Sequence, residues 1–226
     1  MGDHPNPEAP VSKDIKSLFV LSAVFCAAVL SACALNRGVA EPIRSYVLEI
    51  ENGQEASDLN KPHSRNLPGL LLSVPQPAPG FESQGMIYEQ VPHELRSFVT
   101  SQWVDSPARM LAPLLTKSLE ASETWGSVVL LPSLIRGNYR LDISQVALVQ
   151  DFTRQPSHIR LTLRAQMMTV SDPRVIGTRE FEFQEKASSE DAYGGVLAAQ
   201  QAVRRFLANL NDWLAGCFTG SPESPC

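Results

Sequence analysis

The sequence predicts a single α/β domain in which a mixed, largely antiparallel sheet is packed by two main helices. Two patterns lead to this prediction. Between residues 139 and 184, three runs alternate apolar and polar side chains, which is typical of an antiparallel meander. Residues 107–122 and 193–214 instead place apolar side chains at helical spacing. A chain of 226 residues that is 43% apolar is long enough to form one ordinary domain.

The first half of the chain predicts short strands separated by loops. Residues 45–50 alternate well enough for a first strand, and residues 69–74 form a continuous apolar run suited to a buried one. A proline-rich stretch then ends the second strand. Residues 86–88 and 95–98 predict two short strands of a hairpin around Pro92.

The first helix is predicted to begin at Ser106 and Pro107. Serine can cap the free N–H groups of a helix start, and proline is tolerated at the first helical position. Pro113 in the second turn is expected to tighten or bend this helix. One buried face is predicted as far as about Ser122, from the apolar residues Met110, Leu111, Leu114, Leu115 and Leu119.

Four further strands are predicted in the second half. Residues 127–131 form a short apolar run, and residues 139–149, 159–167 and 177–184 are the strands of the meander. Their alternation predicts that one face of the meander is buried and the other faces water.

The last helix is predicted to begin after Ser188, with Asp191 three residues on in a variant of the capping box. It extends over about six turns. A core-facing role is favoured over a partner-binding face, because the meander offers a matching apolar face. The apolar stripe comprises Tyr193, Val196, Leu197, Val203, Phe206, Leu207, Leu210, Trp213 and Leu214.

The amino terminus has the organisation of a secretory signal peptide. Lys13 and Lys16 precede the almost purely apolar run of residues 18–30. A helix that crosses a bilayer needs about 20 apolar residues, which is more than this run provides. Because no charge occurs from Ser17 to Asn36, a retained signal anchor is the alternative.

Leu30-Ser31-Ala32-Cys33 follows in the pattern of a bacterial lipobox. The small residues suit a narrow peptidase cleft, and cysteine supplies a nucleophilic thiol. This resemblance implies cleavage before Cys33, a diacylglycerol thioether on its sulfur and acylation of its new amino group. An ordinary apolar cysteine is the alternative. Ala34, in place of aspartate, implies sorting to the outer membrane, with the body of the protein in the periplasm.

Cysteine usage agrees with this division of the chain. Cys26 is removed with the signal, so Cys217 and Cys226 are the remaining thiols in an oxidising compartment. They are expected to form a disulfide that pins the tail, and two unpaired thiols are the alternative. The predicted parts are a signal peptide (1–32), a lipidated tether (33–43), an α/β domain (44–216) and a flexible tail (217–226).

A set of short motifs in fixed order carries a family resemblance: Tyr46-Val-Leu48, Pro79-Gly80-Phe81, Met86-Ile-Tyr88, Trp103 and Pro107-Ala-Arg-Met-Leu111. With the lipobox ahead of them and a long helix behind, the chain from about residue 44 to about residue 214 resembles the ABC-type transport auxiliary lipoprotein family, the group that includes PqiC-like proteins. The loop at 51–68 looks longer than is usual in that family, and the stretch 75–80 is richer in proline.

The resemblance implies a non-catalytic periplasmic lipoprotein that works with a permease, an ATPase and a mammalian-cell-entry (MCE) domain protein in lipid transport. It also implies a position at the outer-membrane end of the MCE assembly, and a ring of identical subunits is a further expectation. Tyr88 and Trp103 are candidate partner contacts, with positions in the core as the alternative. The alternative function is an envelope-assembly or structural lipoprotein with an unrelated partner.

Composition and motifs give no support to catalysis or to nucleic-acid binding. The formal charge is −5 and no basic run occurs. Nucleophile-elbow, zinc-protease and phosphate-loop motifs are all missing from the sequence. His63, His93 and His158 have no acidic or cysteine partner at ligand spacing and are expected to be solvated. No cofactor or metal is therefore predicted.

Overall fold

One mixed sheet of eight strands and two helices make up the part of the chain that the structure describes. This computed structural model describes Gly2, residues 41–50 and residues 67–219. The elements are β1 (Arg44–Tyr46), β2 (Gly69–Leu72), β3 (Gly85–Val91), β4 (Glu94–Trp103), α1 (Pro107–Ala121), β5 (Ser127–Leu130), β6 (Tyr139–Asp151), β7 (His158–Thr169), β8 (Val175–Lys186) and α2 (Ala192–Thr219). The predicted α/β class is confirmed.

The long strand β6 organises the sheet. One of its edges pairs antiparallel with β7, which pairs in turn with β8, so the predicted meander is confirmed. Its other edge is divided between two parallel partners, because residues 139–141 pair with β2 and residues 149–151 pair with β3. Between these pairings, the extended chain after β2 bonds to β6, with the Ala78 N–H donating to the Val146 carbonyl at 3.0 Å. The meander is thus joined to the rest of the sheet through β6.

The predicted hairpin around Pro92 is confirmed, although its strands are longer than the pattern indicated. β3 and β4 pair antiparallel, and the turn places His93 at a φ of 71°. The register shifts between Gly85 and Ile87, which leaves residues 98–101 of β4 without direct partners on β3. Such bulges change the direction in which side chains point. The hairpin therefore carries an irregular outer strand.

The main core lies between the helices and the inner face of the meander. Phe206 of α2 is fully buried, with its ring centroid 5.5 Å from that of Phe181 and 6.4 Å from that of Phe183. The predicted core-facing role of the α2 stripe is confirmed for most of its members. Tyr193 is the exception, because it is 53% exposed, and Leu197 is half-buried. The buried members are Val196, Val203, Phe206, Leu207, Leu210, Trp213 and Leu214.

The first helix begins at Pro107, as predicted, but the predicted serine cap is not formed. The Ser106 hydroxyl makes no capping hydrogen bond. Instead, the Asp105 carboxylate accepts a hydrogen bond from the Ser106 N–H at 2.7 Å and pairs with Arg109 at 3.1 Å. The helix continues through Pro113 to Ala121. Of its predicted apolar face, Leu114 is half-buried and the rest is buried: Met110, Leu111, Leu115 and Leu119.

The second helix is capped by Asp191 and not by Ser188. Asp191 Oδ1 accepts hydrogen bonds from the Gly194 N–H at 2.8 Å and from the Ser189 hydroxyl at 2.6 Å. The amide nitrogen of buried Gln150 donates to the Asp191 carbonyl at 3.1 Å, which ties this helix start to β6. The helix is also longer than predicted, at 28 residues.

Replacement of Asp191 by alanine is expected to lower the free energy of unfolding by about 1 kcal/mol at neutral pH, because the helix loses its cap. Hydrogen bonds from the Ser189 hydroxyl and the Gly194 N–H lower the pKa of Asp191 below its ordinary value. A carboxylate with a lowered folded-state pKa stabilises the fold above its unfolded pKa, and this stability is lost as the pH falls through the folded pKa. The free energies of unfolding of the two proteins, measured in urea, are therefore expected to converge only as the pH falls through this lowered pKa, below the ordinary aspartate value of about 3.9.

Asp191→Asn is the control for this prediction. Asparagine keeps a capping oxygen but does not titrate, so its stability at pH 7 should stay close to that of the wild type. A deficit of Asp191→Ala that remains constant into acid would contradict the assignment of a titrating cap.

Candidate functional site

Three of the predicted site residues are cysteines: Cys33, Cys217 and Cys226. Cys33 and Cys226 lie outside the described residues. Cys217 lies near the end of α2, where it is half-buried against the core and is disulfide-bonded. Its pairing with Cys226 stays a prediction, as does the lipidation of Cys33.

Trp103 occupies a core position. Its side chain is only 2% exposed, and its backbone N–H donates to the Gln84 carbonyl at 2.8 Å. A partner gains contact area only from accessible side-chain surface, which Trp103 lacks. The structure therefore shows Trp103 in the core, and the prediction that it contacts a partner is wrong.

Tyr88 instead lies in an aromatic cluster at the end of the sheet, with Phe98 and Phe152. The Tyr88 ring centroid is 4.8 Å from that of Phe98 and 6.0 Å from that of Phe152. All three side chains are half-buried. The sequence did not reveal this cluster, because Phe152 comes just after β6 and meets the hairpin only through the parallel pairing of β3 with β6. Tyr88 therefore packs within the hairpin, and part of its side chain stays accessible to a partner.

Polar contacts hold the same hairpin against the meander. Glu89 of β3 pairs with Arg160 of β7 at 3.2 Å, and its other carboxylate oxygen accepts the His93 N–H at 2.7 Å. The Phe152 N–H donates to the Glu89 carbonyl at 2.8 Å. The Glu89 side chain is only 12% exposed, so water screens its ion pair less than a surface pair. The hairpin thus has a fixed position on the sheet.

Two charged groups near the hairpin have shifted pKa values. A hydrogen bond with Glu94 raises the pKa of Arg96 above its ordinary value. Burial acts to raise the pKa of Asp151, but hydrogen bonds from the hydroxyl and N–H of Thr153, together with nearby arginines, outweigh it and lower that pKa. Both groups are therefore ionised at neutral pH.

An aliphatic surface lies on the hairpin. Val91, Leu95 and Val99 are 54%, 52% and 89% exposed, and we call these three residues the hairpin patch. Val99 belongs to the bulged part of β4, where the irregular register leaves it almost fully in solvent. All three side chains belong to one hairpin, with Val91 on β3 and Leu95 and Val99 on β4, and exposed apolar surface of this kind is a candidate protein contact. The hairpin patch is therefore the candidate functional site.

The described residues show no cluster of side chains suited to a metal ion. No group of three or more His, Cys, Asp or Glu side chains among them could hold a metal ion. His93 is exposed in the hairpin turn, as predicted, whereas His158 is half-buried and its Nδ1 has no hydrogen-bond partner in the described ranges. His63 lies outside the described residues. Neither of the described helices is long and apolar enough to cross a membrane.

The model of the family of ABC-type transport auxiliary lipoprotein components matches residues 46–211 of the chain. The chain belongs to this family. The resemblance found in the short motifs is thereby confirmed. Because the match runs from β1 into α2, the hairpin patch of this auxiliary lipoprotein lies within the family's own domain.

Solved structures show the same fold for the auxiliary lipoprotein. A crystal structure of a Xanthomonas campestris protein is 22% identical and covers 80% of this chain and 98% of its own, with a TM-score of 0.64. A second crystal structure, of an uncharacterized protein, is 12% identical and covers 77% of this chain and 99% of its own, with a TM-score of 0.56. Among curated proteins, the search found no match.

Proposed function

We propose that this auxiliary lipoprotein is a non-catalytic periplasmic subunit of an ABC/MCE-type lipid transport system, anchored in the outer membrane through Cys33. In this role it docks the periplasmic MCE assembly at the outer membrane. The observation that carries the proposal is the family match over residues 46–211. The lipobox at Cys33 supports it, because a lipid anchor agrees with the description of the family as lipoproteins. A ring of identical subunits stays a prediction.

The hairpin patch is the proposed contact with the MCE protein. Its side chains expose aliphatic surface, and the Glu89–Arg160 ion pair and the aromatic cluster hold the hairpin in place. A preorganised surface loses little conformational entropy when a partner binds. Aliphatic contacts are also suited to a subunit that supplies a fixed docking point without chemistry of its own.

Introducing a charge into the hairpin patch is expected to break this contact. Val99→Glu places a carboxylate on the most exposed member of the patch, where a partner would have to bury it without a counter-charge. We expect recovery of the MCE protein and its ABC subunits in a crosslinked pull-down from membranes to fall about tenfold, as for loss of an interface hot spot. Mass spectrometry identifies and quantifies the recovered proteins.

Val175→Glu is the matched control, because Val175 is 57% exposed on β8 and lies outside the hairpin. It introduces the same charge and should leave recovery unchanged. If the wild type, Val99→Glu and Val175→Glu all recover the MCE protein equally, the hairpin patch is not the contact, although the proposed transport system still holds. If the wild type recovers an unrelated envelope protein and no transport subunit, the proposed function is wrong and an envelope-assembly role is indicated.

A further inference from the structure

A wide cleft lies on the outer face of the sheet, apart from the hairpin patch. Its volume is about 830 Å³. The chain just after β2 and the loop after β5 form its walls, and β6 and β7 form its floor. This volume is within the range of small-molecule sites, roughly 300–1,000 Å³. The cleft is therefore large enough for a ligand with more than a few heavy atoms.

The cleft has a positive charge balance. Arg140, Asp142 and Arg164 are its charged lining residues, which gives two positive groups and one negative group. Arg140 Nε donates to Asp142 Oδ1 at 2.8 Å and to Ser73 Oγ at 3.0 Å, and the Ser73 hydroxyl also bonds to Asp142. Asp142 is thus already compensated by Arg140, so the remaining charge is that of Arg164.

Arg164 is a half-buried arginine that has no partner in the described part of the chain. No hydrogen bond or ion pair is formed by its guanidinium there. In the sheet register its neighbours are Ser144 on β6 and Glu180 on β8, and Glu180 is exposed and is not among the ion-pair partners of the described arginines. A guanidinium offers five N–H donors in a planar fork that suits phosphate oxygens. This arrangement favours an anion from outside the chain.

The cleft also has an apolar wall beside these polar groups. Val74, Leu131 and Pro132 line it, and the hydroxyls of Ser133 and Ser144 are further donors. We propose that the cleft binds the phosphate group of an amphiphilic phosphate ester, such as a phospholipid headgroup, with Arg164 as its main ligand. Arg164 neutralises the phosphate, and the apolar wall contacts the adjoining glycerol and acyl carbons. A free phosphate ion could contact Arg164 but has no carbon atoms to contact the apolar wall.

The inference rests on the proposed lipid-transport function only where it identifies the phosphate ester as a lipid. Binding to the cleft is measured without any MCE or ABC subunit. The full chain, purified in a phosphate-free neutral detergent, is titrated with dihexanoylphosphatidylglycerol or with sodium phosphate, and native mass spectrometry counts the bound molecules. We expect saturable binding of the lipid. Arg164→Gln should weaken it about tenfold, because one charged hydrogen-bonding group is lost.

Arg204→Gln is the matched control, because Arg204 is exposed on α2 and, among the described residues, bonds to Gln201 of the same helix. It makes the same change in net charge and should leave binding unchanged. Arg164→Lys, which keeps the charge, should bind more tightly than Arg164→Gln. Saturable binding of phosphate alone, with the same dependence on Arg164, would assign the site to the free anion. Binding of neither probe, or equal binding by wild type and Arg164→Gln, would overturn the inference.

Discussion

Phe206→Ala is expected to lower the free energy of unfolding by about 3–5 kcal/mol, as for removal of a fully buried aromatic side chain. Phe206 is 0% exposed, and its ring lies edge-on to Phe181 at 5.5 Å. The substitution leaves a cavity between α2 and β8 and removes these ring contacts, which contribute beyond simple burial. Thermal unfolding followed by circular dichroism should show a midpoint lower by roughly 10 °C.

Asn209→Ala is the control on the same helix, because Asn209 is exposed and, within the described part of the chain, bonds to the Arg205 carbonyl one turn earlier. It should change the stability little, since alanine favours helices. Phe206→Leu should fall between Phe206→Ala and the wild type. A loss for Phe206→Ala no larger than that for Asn209→Ala would show that α2 does not pack on the meander through this ring.

Cys33→Ala is expected to abolish outer-membrane association of the protein. The thiol of Cys33 is the proposed acceptor of the diacylglycerol, and each buried methylene of an acyl chain contributes about 0.8 kcal/mol to membrane binding. Without the thiol no chain is attached, and processing before residue 33 does not occur. Sucrose-gradient fractionation should show the protein leaving the outer-membrane fraction, and intact-mass measurement should show that the acyl mass is missing.

Cys26→Ala is the matched control, because Cys26 lies within the predicted signal peptide and outside the lipobox. Its product should have the wild-type mass and fractionation. If the alternative of a retained signal anchor holds, both variants will carry the uncleaved amino terminus and fractionate like the wild type.

The local pattern of the sequence predicted the type and order of the helices and strands, although β1 (Arg44–Tyr46) covers only the start of the predicted run 45–50. Alternation over residues 159–167 predicted a strand with one wet face, and β7 extends from His158 to Thr169 with alternate residues buried. A period of two or of 3.6 residues depends only on near neighbours, so it can be recognised without knowledge of the fold. Because periodicity depends only on near neighbours, the ends and caps of the helices and strands were predicted less accurately. Asp191 and Ser188 both stand near the helix start, and only the backbone geometry selects the former.

Pattern also could not separate the two candidate aromatics. Tyr88 and Trp103 both lie in strands of the hairpin, yet Trp103 is buried and Tyr88 supports an exposed edge. The register shifts between Gly85 and Ile87, so the alternation of β4 does not carry through unbroken to Trp103. A bulge of this kind depends on pairing between strands and has no fixed sequence signature here.

The sequence by itself determined the class of the protein, from the lipobox, the ordered motifs, the alternating meander and the helical stripe of α2. Each of these is a local signal of residue type and spacing. Only the tertiary structure decided that β6 divides one edge between β2 and β3, that Phe152 joins Tyr88, and that Arg164 lines a cleft with no partner among the described residues. These features bring together residues that are far apart in the chain. Spacing predicts the face on which a side chain lies but not the element it meets.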